Sequence, residues 1–238
     1  IGDPATPHDI GGAAASVVVY GIRAGNQQDV KIYNNKVSNV SGTGVNDGIF
    51  LELFQGTCEV YNNVIKSVRN VGTASTAIIS GIGLSHRTTL THSARVYNNV
   101  VSDITSAYTG AVTATRVIRG IFVRGTGGLT SSSYEFYNNS VSINGSGSLN
   151  CSSSCFDIAT TSGPFFIIRN NIFANFTPAQ TGVARHYCIT STSATTYGPA
   201  GTDLDYNNYY LANDAGVSGF LGLGNATTFL NLGAWQAS

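Results

Sequence analysis

From Ser16 onward the chain alternates short apolar runs with polar turns, and no segment sustains apolar residues at a 3.6-residue period. Each unit begins with a short apolar strand that usually opens on Gly-Ile, as at Gly21-Ile22, Gly48-Ile49, Gly81-Ile82 and Gly120-Ile121. Cys155-Phe156-Asp157-Ile158 and Tyr187-Cys188-Ile189 read as weaker equivalents. A polar loop of variable length follows, then a strand that ends in Tyr-Asn-Asn. The third strand reads Val37-Ser38-Asn39-Val40, Ile65-Lys66-Ser67-Val68 or Val101-Ser102-Asp103-Ile104. Three short strands per unit, with length variation confined to the turns, predict the triangular coils of a parallel β-helix.

The Tyr-Asn-Asn motif sets the period. It starts at Tyr33, Tyr61, Tyr97, Tyr137 and Tyr206, with a degenerate copy at Arg169-Asn170-Asn171, so that successive starts lie 28, 36, 40, 32 and 37 residues apart. Recurrence over about 20–50 residues marks a solenoid or array. Aligned on the tyrosine, the preceding position holds Ile32, Val60, Val96, Phe136 and Ile168, an inward apolar column. One position earlier, Lys31, Glu59, Arg95 and Glu135 alternate in sign, as an outward ladder of stacked strands would. Four residues after the tyrosine come Val37, Ile65, Val101, Val141, Phe173 and Tyr210, a second inward column.

Strict alternation through the motif places its first asparagine inward and its second at the corner. The expected ladder of stacked amides is therefore Asn34, Asn62, Asn98, Asn138, Asn170 and Asn207, each donating to the next coil. The tyrosines would stack outside, and the sharper alternative for Tyr33, Tyr61, Tyr97 and Tyr137 is an aromatic strip for sugars. The whole chain reads as one all-β domain of about six to seven coils: a lead-in or cap over 1–15, coils over 16–214 and a closing segment over 215–238. With no methionine and a start at Ile1, it is expected to be a piece of a larger protein.

Composition narrows the partners. Twelve Lys/Arg balance twelve Asp/Glu, which argues against a nucleic-acid partner, since that would need a cationic excess. No run of 18 apolar residues offers a membrane span. Of four cysteines, Cys151 and Cys155 lie in Asn-Cys-Ser-Ser-Ser-Cys, read as a loop in which a local disulfide would suit an exported protein.

The repeated Gly-Ile strand and Val-Tyr-Asn-Asn-Val-Val-Ser resemble right-handed parallel β-helix repeats of large exported surface proteins of the Bacteroidota, which often carry a type IX secretion signal. The resemblance covers 16–238 and implies an extracellular or cell-surface location. The patterns of polygalacturonases (Asn-Thr-Asp, Gly-His-Gly, Arg-Ile-Lys) are absent, and the calcium-binding aspartate set of pectate lyases is not recognisable.

The remaining chemistry gathers on the Gly-Ile strand, whose outward positions are Arg23, Phe50, Gly83 and Phe122, then Glu52, Ser85 and Arg124. His86, Arg87 and His92 fall in the following loop, beside Arg116 and Arg119. Glu52, His86 and Arg124 form the candidate acid–base set. Asp203 and Asp205, where earlier coils are apolar, imply either a shifted register in the last coil or a bound cation such as Ca²⁺. The expected function is a non-catalytic structural or adhesive module whose partners are other copies or domains of the same surface protein, and glycans. The alternatives are a polysaccharide lyase or hydrolase, or a glycan-binding module on the Gly-Ile face.

Overall fold

The computed structural model describes residues 1–2, 8–11, 19–86, 91–125, 132–144, 150–159, 165–178, 183–191, 203–212, 219–224 and 227–229. Every described strand stacks on its counterpart one coil away, parallel and in register, except for a closing hairpin. Three sheets result.

The long-strand sheet carries the Gly-Ile segments: β2 (Tyr20–Gly25), β5 (Asn46–Phe54), β8 (Ile79–His86), β11 (Thr113–Arg124), β14 (Cys151–Ala159), β17 (His186–Ser191) and β20 (Gly219–Gly224), with β21 (Thr227–Phe229) folded back antiparallel. The tyrosine sheet is β3 (Lys31–Tyr33), β6 (Gly56–Tyr61), β9 (His92–Tyr97), β12 (Ser133–Tyr137), β15 (Phe165–Arg169) and β18 (Asp203–Asp205). The third sheet is β1 (His8–Ile10), β4 (Asn35–Gly42), β7 (Val64–Asn70), β10 (Val100–Ser106), β13 (Ser140–Ile143), β16 (Ile172–Asn175) and β19 (Asn208–Leu211). The all-β parallel β-helix expected from the repeats is the fold.

The expected columns pair in register. Ile32 stacks on Val60, Val60 on Val96, Val96 on Phe136 and Phe136 on Ile168, all with zero exposure. Outside, Lys31 meets Glu59 at 3.1 Å and Arg95 meets Glu135 at 3.1 Å. The Gly-Ile glycines face inward where two sheets converge. A Cβ at Gly21, Gly48, Gly81 or Gly120 would run into the γ-carbons of Val37, Ile65, Val101 or Val141.

Three expectations are corrected. The amide ladder belongs to the second asparagine of each motif. Asn35 Nδ2 donates to Asn63 Oδ1 at 2.9 Å, and the bond repeats from Asn63 to Asn99, Asn99 to Asn139, Asn139 to Asn171 and Asn171 to Asn207. Asn34, Asn62, Asn98, Asn138 and Asn170 instead take left-handed backbone, with φ of 53° to 57°. One left-handed residue between two strands breaks the two-residue alternation, so the next residue turns inward.

The last coil is shifted by one, as the aspartates suggested. Tyr206 takes the left-handed position at φ 53°, and Asn207 closes the ladder. Tyr209 rather than Tyr210 stacks on Phe173, and Tyr210 is exposed.

Cys151 and Cys155 are free and buried, as are Cys58 and Cys188. The stretch read as a loop is strand β14, along which four residues span about 13 Å, beyond the reach of a disulfide. Burial pushes the Cys151 thiol up to about 11 and that of Cys188 up to about 12, so neither is a ready nucleophile.

Candidate functional site

The three expected acid–base residues do not converge. Glu52 and Arg124 do lie in one outward column, each beside Ser85 of β8. But Glu52 is held by Arg23, whose Nε donates to it at 2.8 Å. Arg124 turns the other way, and its Nη2 donates to Asp47 Oδ1 at 2.8 Å. His86 ends β8 in phase with Leu84 and points into the coil. There it is 2% exposed and stacks on His92 with ring centroids 4.5 Å apart, beside Phe54 and Tyr134. Alternation from Leu84 through Ser85 would have placed His86 inside, had β8 been read as continuing that far.

Asp203 and Asp205 face outward. Arg169 Nε donates to Asp203 Oδ1 at 3.2 Å, and Asp205 Oδ1 accepts from the Tyr206 backbone N–H at 2.9 Å. Among the described residues, no three His, Cys, Asp or Glu side chains gather as a metal would require. The tyrosine rings lie face to face, Tyr33 on Tyr61 at 5.0 Å and Tyr61 on Tyr97 at 4.8 Å, within 6° of parallel. Tyr61 thus has both faces covered and offers a sugar only an edge. Tyr97 and Tyr137 have raised pKa values, from burial first and then from Glu59 and Glu135 respectively.

The face that does concentrate chemistry is the outer surface of the long-strand sheet. One outward column runs Tyr20, Asp47, Ser80, Arg119, Ser154 and Tyr187, and the next runs Arg23, Phe50, Gly83, Phe122, Asp157 and Thr190. Two carboxylates with zero exposure anchor it. Asp47 accepts from Ser80 Oγ and from Arg124. Burial raises its pKa, and Arg124 pulls in the opposite direction. Asp157 accepts from Arg116 Nε at 3.1 Å and Thr190 Oγ1 at 2.7 Å, with Arg119 Nη1 at 3.0 Å.

The aromatic residues hold the guanidiniums. Arg119 lies 3.6 Å above the Phe122 ring centre, and Arg124 sits between Phe50 and Phe122 at 4.4 and 4.8 Å. Gly83, between those rings, leaves the space Arg124 crosses to reach Asp47. A Cβ there would lie 2.9 Å from Arg124 Nη2 and 3.1 Å from Phe50.

This arrangement suits binding better than hydrolysis. Asp47 and Asp157 stand three strands apart, about 14 Å across the sheet, and in different columns along it, whereas glycoside hydrolysis places its two carboxylates about 5–10 Å apart. Sequence reading named Arg116, Arg119 and Arg124 but missed Asp47 and Asp157. Both aspartates lie on outward positions of the Gly-Ile strands, and their arginine partners come from other coils and other columns: Arg124 two coils from Asp47, Arg116 and Arg119 one coil from Asp157.

Comparison with protein-family models, with curated proteins and with solved structures returned no match.

Proposed function

We propose that this chain is a non-catalytic β-helix module, a structural and adhesive rod that works outside the cell as part of a surface protein. The observation that carries the reading is the dispersal of Glu52, His86 and Arg124: one side chain pairs along its column, one is interior and one locks a buried aspartate. Most other charged groups serve coil-to-coil ladders, as in Lys36–Asp9, Arg69–Asp103 and Arg169–Asp203. Exposed pairs of this kind contribute little energy singly, but like charges in register would be penalised, so they fix which coil stacks on which. The exported location rests on the repeat resemblance.

The test is turnover. Incubated with a panel of neutral and acidic polysaccharides, the purified chain is expected to release no new reducing ends and no unsaturated products. Cleavage abolished by Glu52→Ala or His86→Ala would overturn the reading. Of the binding alternatives, the outer face of the long-strand sheet is favoured over the tyrosine column, whose ring faces cover one another.

A further inference from the structure

The chain is neutral overall, yet its positive charge is not evenly neutralised. Arg23, Lys31, Lys36, Arg69, Arg95 and Arg169 each have an acidic partner of their own. On the outer face of the long-strand sheet, Arg116, Arg119 and Arg124 share only Asp47 and Asp157 among the described residues, which leaves one guanidinium charge in excess. The segments joining these strands supply no further acid. Between His86 and Thr202 the sequence holds only Asp103, Glu135 and Asp157, and the first two pair with Arg69 and Arg95 on the other sheets.

The excess is held in a low-dielectric setting. Arg119 is 6% exposed, and its Nη1 lies near Asp157 but makes no well-directed hydrogen bond. Its pKa is lowered to about 10, by burial first, with Arg116 and Arg124 adding repulsion against the pull of Asp157. Arg124 is the most exposed of the three, but Asp47 and the rings of Phe50 and Phe122 engage it, whereas Arg116 is partly exposed with most of its fork open. Arg116 uses Nε on Asp157, which leaves the two terminal nitrogens of its fork without a partner among the described residues. A guanidinium fork with free donors, backed by a second buried guanidinium, matches a planar carboxylate or a sulfate.

We infer that this face is a binding site for an acidic glycan, with Arg116 taking a carboxylate or sulfate group of the sugar chain. A polyphosphate is the poorer match, because nucleic-acid affinity grows with the number of phosphates neutralised and this chain has no general cationic surplus. The inference rests on the adhesive reading above, and the two fail separately. Cleavage of a glycan would overturn that reading and leave a binding site standing, whereas absence of binding overturns only the present assignment.

The experiment measures affinity of the full chain for polygalacturonate oligosaccharides, dextran sulfate, neutral dextran and single-stranded DNA at two salt concentrations. Binding to at least one of the two acidic glycans is expected, weaker at high salt, with no binding to neutral dextran. Arg116→Gln should weaken it by about tenfold or more, since the charge and the bidentate fork are lost together. Asp157 keeps Arg119 and Thr190 in that variant, so its melting temperature reports whether the fold survives. Arg116→Lys, which retains the charge and loses the fork, is expected to fall between. No binding to either acidic glycan, equal binding of neutral dextran, unchanged affinity in both variants or equally tight DNA binding would each overturn the assignment.

Discussion

Two adjacent asparagines with the same side chain do unrelated work in each coil. In the middle of the stack, Asn99 Oδ1 accepts from both the backbone N–H and the side-chain amide of Asn63 at 3.0 Å. Its own amide donates to Asn139 at 3.0 Å and back to Val60 O at 2.9 Å. Asn98 is exposed and contributes its left-handed backbone, φ 55°. Removing the Asn99 amide strands a donor on one side and an acceptor on the other, so Asn99→Ala is expected to cost about 2–4 kcal/mol. Asn98→Gly should change stability by less than about 1 kcal/mol, because glycine adopts that backbone freely. Chemical denaturation of both variants checks the order; a larger loss for Asn98→Gly would contradict the assignment. The distinction was within reach of the sequence. Asn35 and Val37 share a parity, and Val37 was correctly placed inward, but the left-handed residue that resets the parity leaves no mark of its own when it too is asparagine.

Among the elements, β14 and β17 concentrate buried polar groups, and one of them titrates in an accessible range. His186 has zero exposure, with its Nδ1 3.0 Å from Ser153 Oγ. Burial, with a smaller push from Arg185, holds its pKa down to about 4 from 6.5. The unfolded chain gains a proton near pH 6.5, whereas the folded chain gains it only near 4. This contribution is therefore full above about 6.5 and drains as pH falls towards 4, by about 3 kcal/mol in all. His186→Asn should lose less stability than the parent between pH 7 and pH 4.5 in paired denaturation curves. Equal losses would show that His186 is not the group responsible. Strand order and register at this scale were legible from Gly-Ile and Tyr-Asn-Asn, because columns compared across coils average out local noise. Strand extent was not: β8 runs on through Ser85-His86 and β14 takes in Ser152-Ser153-Ser154, where polar residues occupy inward as well as outward positions and no apolar alternation marks the strand.

A stack of parallel strands has two ends, and the molecule treats them differently. At the far end β21 returns antiparallel along β20, so the last described strand of that sheet runs against the others. At the near end β1 pairs with β4, and Ile1 lies along β3, donating from its N-terminus to Lys31 O at 2.6 Å and accepting from the Tyr33 N–H at 2.9 Å. Beneath this cover Asn35 Oδ1 is buried without a donor, the unpaired acceptor at the start of the amide ladder. Asn207, at the other end, donates to Ile168 O, and among the described residues no further amide continues the ladder. The ladder is polar, and at this end Ile1 lies along β3 and β1 along β4. Unprotected strand edges recruit other chains. Deleting residues 1–10 should therefore leave a folded stack whose weight-average mass, by sedimentation or light scattering, rises with concentration more steeply than that of the full chain. Coincident curves would mean that the edges of β3 and β4 are blocked by something other than this cover.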